Sequence, residues 1–294
     1  MTRFERLAWA FLAYLLFVIL FGAWVRISGS GDGCGNHWPL CRGEVVPVAP
    51  ATKTIIEFSH RLSSGLSGII AIVLVWWARR LDPKVFRASL AMFVFLMLEA
   101  FIGAVLVKKQ LVAGDASTSR AIVIALHLCN TMLLTASTAA MAWWAGPPRE
   151  ALGSSPSRVL LAAIIVLLIA TNATGAVTAL GDTLFPVQPG VPTPDHFLAQ
   201  LRIAHPIVAM TSVLLVGGAL FRLMQISPLR LLKSSLHALA GQAALGFLNI
   251  ALNAPSWMQI LHLLAAQVVW ILIFLVVLTL WGGQSWPQPP FRRP

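Results

Sequence analysis

Apolar stretches recur along the whole sequence and alternate with short polar segments. Each stretch has about twenty residues, enough to cross a hydrocarbon core of about 30 Å as an α-helix. No polar segment between them is long enough to fold as a separate soluble domain. The pattern predicts an all-α integral membrane protein with eight transmembrane helices, at 8–27, 55–78, 86–107, 120–144, 158–180, 197–221, 229–250 and 257–281.

The composition supports a membrane protein and argues against a nucleic-acid-binding one. Only 11% of the residues are charged and 58% are hydrophobic, whereas soluble domains carry about 25% charged residues. The net charge is +11, but the basic residues form neither a patch nor a tail. They fall mostly in short loops, where they set topology and meet anionic lipid.

The distribution of Lys and Arg also predicts the orientation of the chain in the membrane. Most of these residues fall on the cytoplasmic side if the N-terminus is cytoplasmic. Both termini are then inside, and the loop after the first helix is outside. The first helix begins close to the N-terminus and lacks a small-residue cleavage site, so we expect a retained helix rather than a removed signal peptide.

The outer loop contains two of the three cysteines, Cys34 and Cys41. An oxidising compartment would favour a disulfide between them. Their spacing would also suit a metal clip, but no second Cys/His pair follows at zinc-like spacing, so we favour the disulfide. The third cysteine, Cys129, lies within an apolar stretch and is typical of a small packing residue.

The two halves of the sequence look like copies of one four-helix unit. Helix 1 ends in GAWV (22–25) and helix 5 in GAVT (175–178), while Glu99 and Gly103 of helix 3 match Gln242 and Gly246 of helix 7. Such a repeat predicts two pseudo-symmetric four-helix bundles. We expect the boundaries to be 1–145 and 158–294, joined by a cytoplasmic linker at 146–157 that is rich in Pro, Gly and Ser.

Each even-numbered helix carries one histidine at a similar depth from its outer end: His60, His127, His205 and His262. Any one alone would usually be a packing residue, but four at matching depth are a functional set, because burying an ionisable residue in a membrane is costly. Two histidines on facing helices of a bundle can be the axial ligands of one haem iron. Zinc or di-metal sites are disfavoured, since the extra carboxylates or thiolates are missing.

Charged residues near the outer ends suggest how the two halves differ. Four arginines could bind haem propionates or simply extend to the interface, and both readings stay open: Arg26, Arg61, Arg120 and Arg202. Glu57 lies three residues before His60, on the same helix face, and the matching position of the second half is Arg202. We therefore expect proton-transfer chemistry in the first half and electron transfer in the second. The alternative for Glu57 is an ion pair with Lys53 or Arg61.

Several stretches together resemble the haem A synthase family, membrane oxidases that make haem A from haem O. The similar segments are GAWVRISGSGDGCGNHWPLC (22–41), EFSHR (57–61), HLCNTMLL (127–134), GAVTALGDTLFP (175–186) and LHLLAAQ (261–267). They lie in both halves and cover nearly the whole chain. One departure is Pro206, which stands directly after the helix 6 histidine where the family usually has Arg.

The resemblance implies a role for each candidate residue. His60 and His127 would bind the substrate haem O, His205 and His262 would bind a permanent haem b, Glu57 would be catalytic, and Cys34 and Cys41 would form the family's loop pair. It also implies a bacterial plasma membrane, a haem O synthase (a farnesyltransferase) as neighbour and a terminal oxidase as consumer, and it leaves the electron carrier open. The alternative functions are a two-haem b-type electron-transfer protein without catalysis and a transporter.

Overall fold

The computed structural model describes residues 1–147, 156–187, 190–192, 194–226 and 230–281. Within these ranges the regular structure is helical, apart from an isolated bridge between Cys41 and Glu44. The eight long helices are α1 Arg3–Ile27, α2 Thr52–Ala78, α3 Pro83–Lys108, α4 Thr118–Trp144, α5 Arg158–Leu184, α6 Ala204–Ile226, α7 Arg230–Ala251 and α8 Ser256–Trp281. Most of the predicted linker, 146–157, lies outside the described residues.

Seven of the eight long helices in the described ranges are long and apolar enough to span a membrane. The exception is α7, which includes Arg230, Lys233 and Gln242 among its polar residues. The prediction of a helical membrane protein is therefore confirmed, while a count of eight crossings stays a prediction.

The helices differ from the predicted ones mainly at their ends. α1 begins at Arg3 because Thr2 and Glu5 form a capping box, in which each side chain accepts a hydrogen bond from the other's backbone N–H. α5 continues to Leu184. A four-residue helix, Phe197–Gln200, and a 3₁₀ turn, Leu201–Ile203, precede α6. Pro206 explains this interruption, since its ring has no N–H for the carbonyl four residues earlier and would clash with it.

Packing between the helices follows the two halves of the sequence. In the first half α1 packs on α2, α2 on α3, α3 on α4 and α4 on α1; in the second, α5 packs on α6, α6 on α7, α7 on α8 and α8 on α5. The halves meet where α4 contacts α5 and α8 and where α1 contacts α8. At this junction the buried Trp270 of α8 donates its indole N–H to the Met132 carbonyl of α4 at 2.9 Å.

The loop between α1 and α2 is closed by a disulfide between Cys34 and Cys41, as predicted. It is docked on the first turn of α2, where Thr54 Oγ1 donates to the Gly33 carbonyl at 2.8 Å. A Cβ at Gly33 would lie 2.4 Å from the Lys53 carbonyl oxygen. Only glycine allows this approach, so the loop lies directly on the N-terminal end of α2.

Candidate functional site

The second-half histidines face each other across the helices of that half. The imidazoles of His205 in α6 and His262 in α8 have centroids 6.4 Å apart, and their planes cross at 83°. Two imidazoles on opposite sides of one metal, each with a bond of about 2 Å, have ring centres about 6 Å apart. The distance between the rings is compatible with two imidazoles holding one iron, and this role of His205 and His262 stays a prediction.

The first-half histidines, His60 and His127, lie on α2 and α4. The Nδ1 atoms of both are buried and have no hydrogen-bond partner in the part of the chain that the structure describes. A buried polar atom without a partner is costly and calls for an explanation such as an absent ligand or water. These two unpartnered Nδ1 atoms are compatible with a site for a bound iron porphyrin.

Each of the four histidine rings packs against a glycine of the preceding helix. An added Cβ would lie 3.1 Å from His60 Cε1 at Gly22 and 3.0 Å from His205 Cε1 at Gly175. The corresponding distances are 3.9 Å from His127 Cε1 at Gly103 and 3.3 Å from His262 Cε1 at Gly246. The sequence shows the repeated glycines but not these contacts.

The second-half histidines each have a side-chain neighbour at a ring nitrogen. Thr174 Oγ1 lies 3.2 Å from His205 Nδ1, and Gln242 Nε2 lies 3.2 Å from His262 Nε2. Groups of this kind orient an imidazole and select its tautomer. At the position that matches Thr174, the first half has Phe21, whose ring meets His60 edge-on at a centroid distance of 5.5 Å.

Glu99 of α3 is held against α4 at the first-half site. Its carboxylate accepts hydrogen bonds from Asn130 Nδ2 and Thr131 Oγ1, and its Oε1 lies 3.3 Å from His127 Nε2. Its counterpart Gln242 occupies the same place beside His262. Both residues therefore contact the imidazole of the following even-numbered helix, a role that the sequence left undecided.

Glu57 is a buried carboxylate, 3% exposed, tied to the outer loop. Its Oε2 accepts a hydrogen bond from the Cys34 backbone N–H at 2.8 Å, and its Oε1 pairs with Arg61. Arg61 Nη1 also donates to the His37 and Leu40 carbonyls, both at 2.7 Å. Of the two cationic partners considered for Glu57, Arg61 is the one observed, and it also connects α2 to the disulfide loop.

The other three predicted propionate arginines also contact protein groups. Arg26 reaches from α1 to the second half, where it donates to the Ala179 carbonyl and Thr183 of α5 and to Gln259 Oε1 of α8, the last at 3.3 Å. Arg120, 3% exposed, donates to the Ala113 and Asp115 carbonyls at 2.7 Å and 2.6 Å.

Arg202 pairs with Asp182 of α5, its Nε 2.8 Å from Oδ1. Sequence reasoning missed Asp182, because the helix was expected to end at residue 180. The extra turn of α5 brings this carboxylate to Arg202, and Arg26 binds the neighbouring Thr183. This end of the junction between the halves therefore carries charged side chains of both signs.

The described His, Cys, Asp and Glu residues form no group of three that could hold a metal ion. The candidate ligands for an iron porphyrin are therefore the two imidazoles of each half. Comparison with known proteins identifies the family of the chain. The sequence profile of the COX15-CtaA family, described as a cytochrome oxidase assembly protein, matches residues 5–274. The chain belongs to the COX15-CtaA family. The resemblance to haem A synthases is thereby confirmed at the level of the family.

Individual relatives of this COX15-CtaA chain carry two different names. Proteins named protoheme IX farnesyltransferase from two strains of Thermus thermophilus are 42% identical over 300 residues, which cover 96% of this chain but 49% of theirs. Proteins named heme A synthase match shorter segments: 42% identity over 95 residues in Exiguobacterium sp. (31% of each chain) and 49% over 94 residues in Geobacillus kaustophilus (31% of this chain, 29% of that one). The chain thus spans about half the length of the Thermus relatives.

Proposed function

We propose that the protein is a haem A synthase, a membrane oxidoreductase that oxidises a methyl group of haem O to a formyl group. The haem A formed would serve terminal oxidase assembly, in keeping with the description of the family. The observation that carries the proposal is the combination of one imidazole pair in each half with a buried carboxylate, Glu57, one helical turn from the first pair. A pure electron carrier has no need of that carboxylate.

The two imidazole pairs would have different occupants. His205 and His262 would hold haem b, which when bound passes electrons. His60 and His127 would bind haem O, the substrate. The second pair has hydrogen-bonding neighbours suited to a resident group, Thr174 and Gln242.

Glu57 would accept protons released as the substrate methyl group is oxidised. The Cys34 N–H and Arg61 orient its two carboxylate oxygens from the outer side, and the turn of α2 places it on the same face as His60. Arg26, Arg61, Arg120 and Arg202 remain our candidates for binding propionates, because guanidinium groups bind carboxylates in a bidentate way. The surrounding helices would exclude water from the reacting carbon.

We further propose that the chain crosses a bacterial plasma membrane eight times as two pseudo-symmetric four-helix bundles, 1–145 and 158–294, with the linker 146–157 and both termini in the cytoplasm. The closed order of helix contacts within each half supports the bundles. α7 would be the eighth crossing, with Gln242 turned toward His262 rather than toward lipid.

A haem O synthase is the proposed neighbour and supplier of substrate. The Thermus relatives bear the name of a farnesyltransferase and are about twice as long as the segment that this chain matches. A second activity in the half of the Thermus proteins that this chain does not match would explain that name. In this chain the imidazole pairs suit an iron porphyrin. We therefore assign to this chain the oxidation of haem O, the step that follows haem O synthesis.

Expression with a supply of haem O, followed by extraction and identification of the haems, tests the proposal. We expect haem A together with haem b. Glu57→Gln keeps the shape and the acceptor oxygen of the side chain but removes the proton-accepting carboxylate, and we expect it to abolish haem A while haem b is retained. Haem b alone in the unaltered protein, or unchanged haem A in Glu57→Gln, would favour the two-haem electron carrier.

A further inference from the structure

We propose that Thr174 is a positioning residue that retains the second-half haem by fixing the tautomer of His205. The inference rests on the proposed function, because it takes His205 to be an axial ligand. The proposal would explain how the second half keeps its haem b bound while the first half lets its haem leave.

The hydrogen bonds of Thr174 define the direction of its hydroxyl. Its Oγ1 donates to the Thr171 carbonyl at 2.8 Å, which uses the only proton of the hydroxyl. The lone pairs of Oγ1 are then left for His205 Nδ1, 3.2 Å away. Oγ1 is therefore an acceptor toward the imidazole, so His205 Nδ1 carries the hydrogen.

A hydrogen on Nδ1 leaves the lone pair on Nε2, the nitrogen available to iron. A ligating imidazole whose other nitrogen donates a hydrogen bond has a fixed ring orientation and is more basic. Loss of such a bond typically costs about 10- to 100-fold in metal affinity. Thr174 would therefore slow haem release, and would favour the ferric state by making the ligand more basic.

The first half has no hydrogen-bond acceptor at the position that matches Thr174. Phe21 precedes Gly22 as Thr174 precedes Gly175, and its ring offers His60 an aromatic edge contact in place of an acceptor. His60 Nδ1 is buried without a partner. The rings also differ in the atoms nearest to the glycines: an added Cβ at Gly22 would meet Cε1 and Nε2 of His60, whereas one at Gly175 would meet Cε1, Nδ1 and Nε2 of His205. The first-half imidazole is held by packing alone on this side.

Three variants of the full chain separate positioning from packing. Thr174→Val keeps the shape and removes the acceptor, Thr174→Ser keeps the hydroxyl, and Thr211→Val is the matched control. Thr211 lies on α6, and its exposed hydroxyl donates to the Ile207 carbonyl of the same helix at 2.9 Å. The readouts are the midpoint potential of the bound haem b and its rate of transfer to an excess of apomyoglobin, with the haem O site measured in parallel.

We expect Thr174→Val to raise the midpoint potential and to speed haem b transfer by about 10- to 100-fold, with haem O release unchanged. Thr174→Ser and Thr211→Val should behave like the unaltered protein. Equal potentials and rates in Thr174→Val and the unaltered protein would overturn the proposal, and so would a Ser variant that behaves like Val. If Thr174→Val does not fold, the Ser variant decides, since a purely apolar packing role predicts a loss there too. Unaltered protein without a haem at His205 would instead overturn the proposed function.

Discussion

At the scale of single residues, the four imidazoles lie against helix backbone at a glycine of the preceding helix. An added Cβ would approach the ring to 3.0–3.3 Å at Gly22, Gly175 and Gly246, and to 3.9 Å at Gly103. A glycine inside a helix costs about 0.5–1 kcal/mol relative to alanine. The space that the rings need explains the three glycines with the closer approach.

Gly175→Ala should selectively weaken the second-half site. The new methyl group would push on His205 Cε1 and Nδ1, so we expect loss of haem b from the purified protein. Gly218→Ala on α6 is the control, because its Cβ meets nothing within 4 Å, and it should keep its haem. Extracted haem content and the absorption spectrum measure both effects. Retention of haem b at the normal level in Gly175→Ala would show that the ring has room to move.

At the scale of elements, the outer loop acts as a cap on α2. Its disulfide and the docking of Gly33 on the first turn of α2 bring the Cys34 N–H to Glu57. Arg61 binds the loop from the other side through two backbone carbonyls. The loop thereby positions the carboxylate although the bridge between Cys41 and Glu44 is its sole regular structure among the described residues.

Opening the loop should impair oxidation more than haem binding in the second half. In Cys34→Ser combined with Cys41→Ser, the Cys34 N–H is no longer constrained above Glu57. We expect less haem A and unchanged haem b, read from the extracted haems. Cys129→Ala, which alters the free cysteine of α4, is the control and should leave both unchanged. Equal losses of both haems in the double variant would point to general misfolding instead.

The sequence predicts the helices well because long apolar runs define them, and it predicts the imidazole pairs because the repeat places them at matching depths. It does not predict the 3₁₀ turn before α6, which depends on how Pro206 meets the preceding carbonyl. It also misses Asp182, whose burial requires one more turn of α5 than the apolar run covers. The glycine contacts involve residues of different helices, and no local pattern encodes them.

At the scale of the whole molecule, the two halves share one apolar core. Buried side chains from α1 and α4 pack with those of the second half, around Trp270. The Trp270 N–H to Met132 bond crosses the junction inside this core, while Arg26 crosses it at the outer end. The halves are therefore joined at two depths.

Replacing the buried indole tests how strongly the core bond joins the halves. Trp270→Phe keeps an aromatic ring but removes the N–H donor, and hydrogen bonds of this kind contribute about 0.5–1.5 kcal/mol, besides the packing lost with the smaller ring. We expect a lower unfolding temperature in detergent. Trp257→Phe, at a side chain that is 60% exposed, should leave it unchanged. A Trp270→Phe protein as stable as the parent would mean that the junction does not depend on this residue.

The glycine contacts also divide the molecule more finely than its two halves. Each of the four imidazoles rests on the helix just before its own, so α1–α2, α3–α4, α5–α6 and α7–α8 are four hairpins that each contribute one of these imidazoles. A porphyrin iron bound between two imidazoles, as proposed, would link the two hairpins of one half. Without it, direct helix packing alone would hold those two hairpins together.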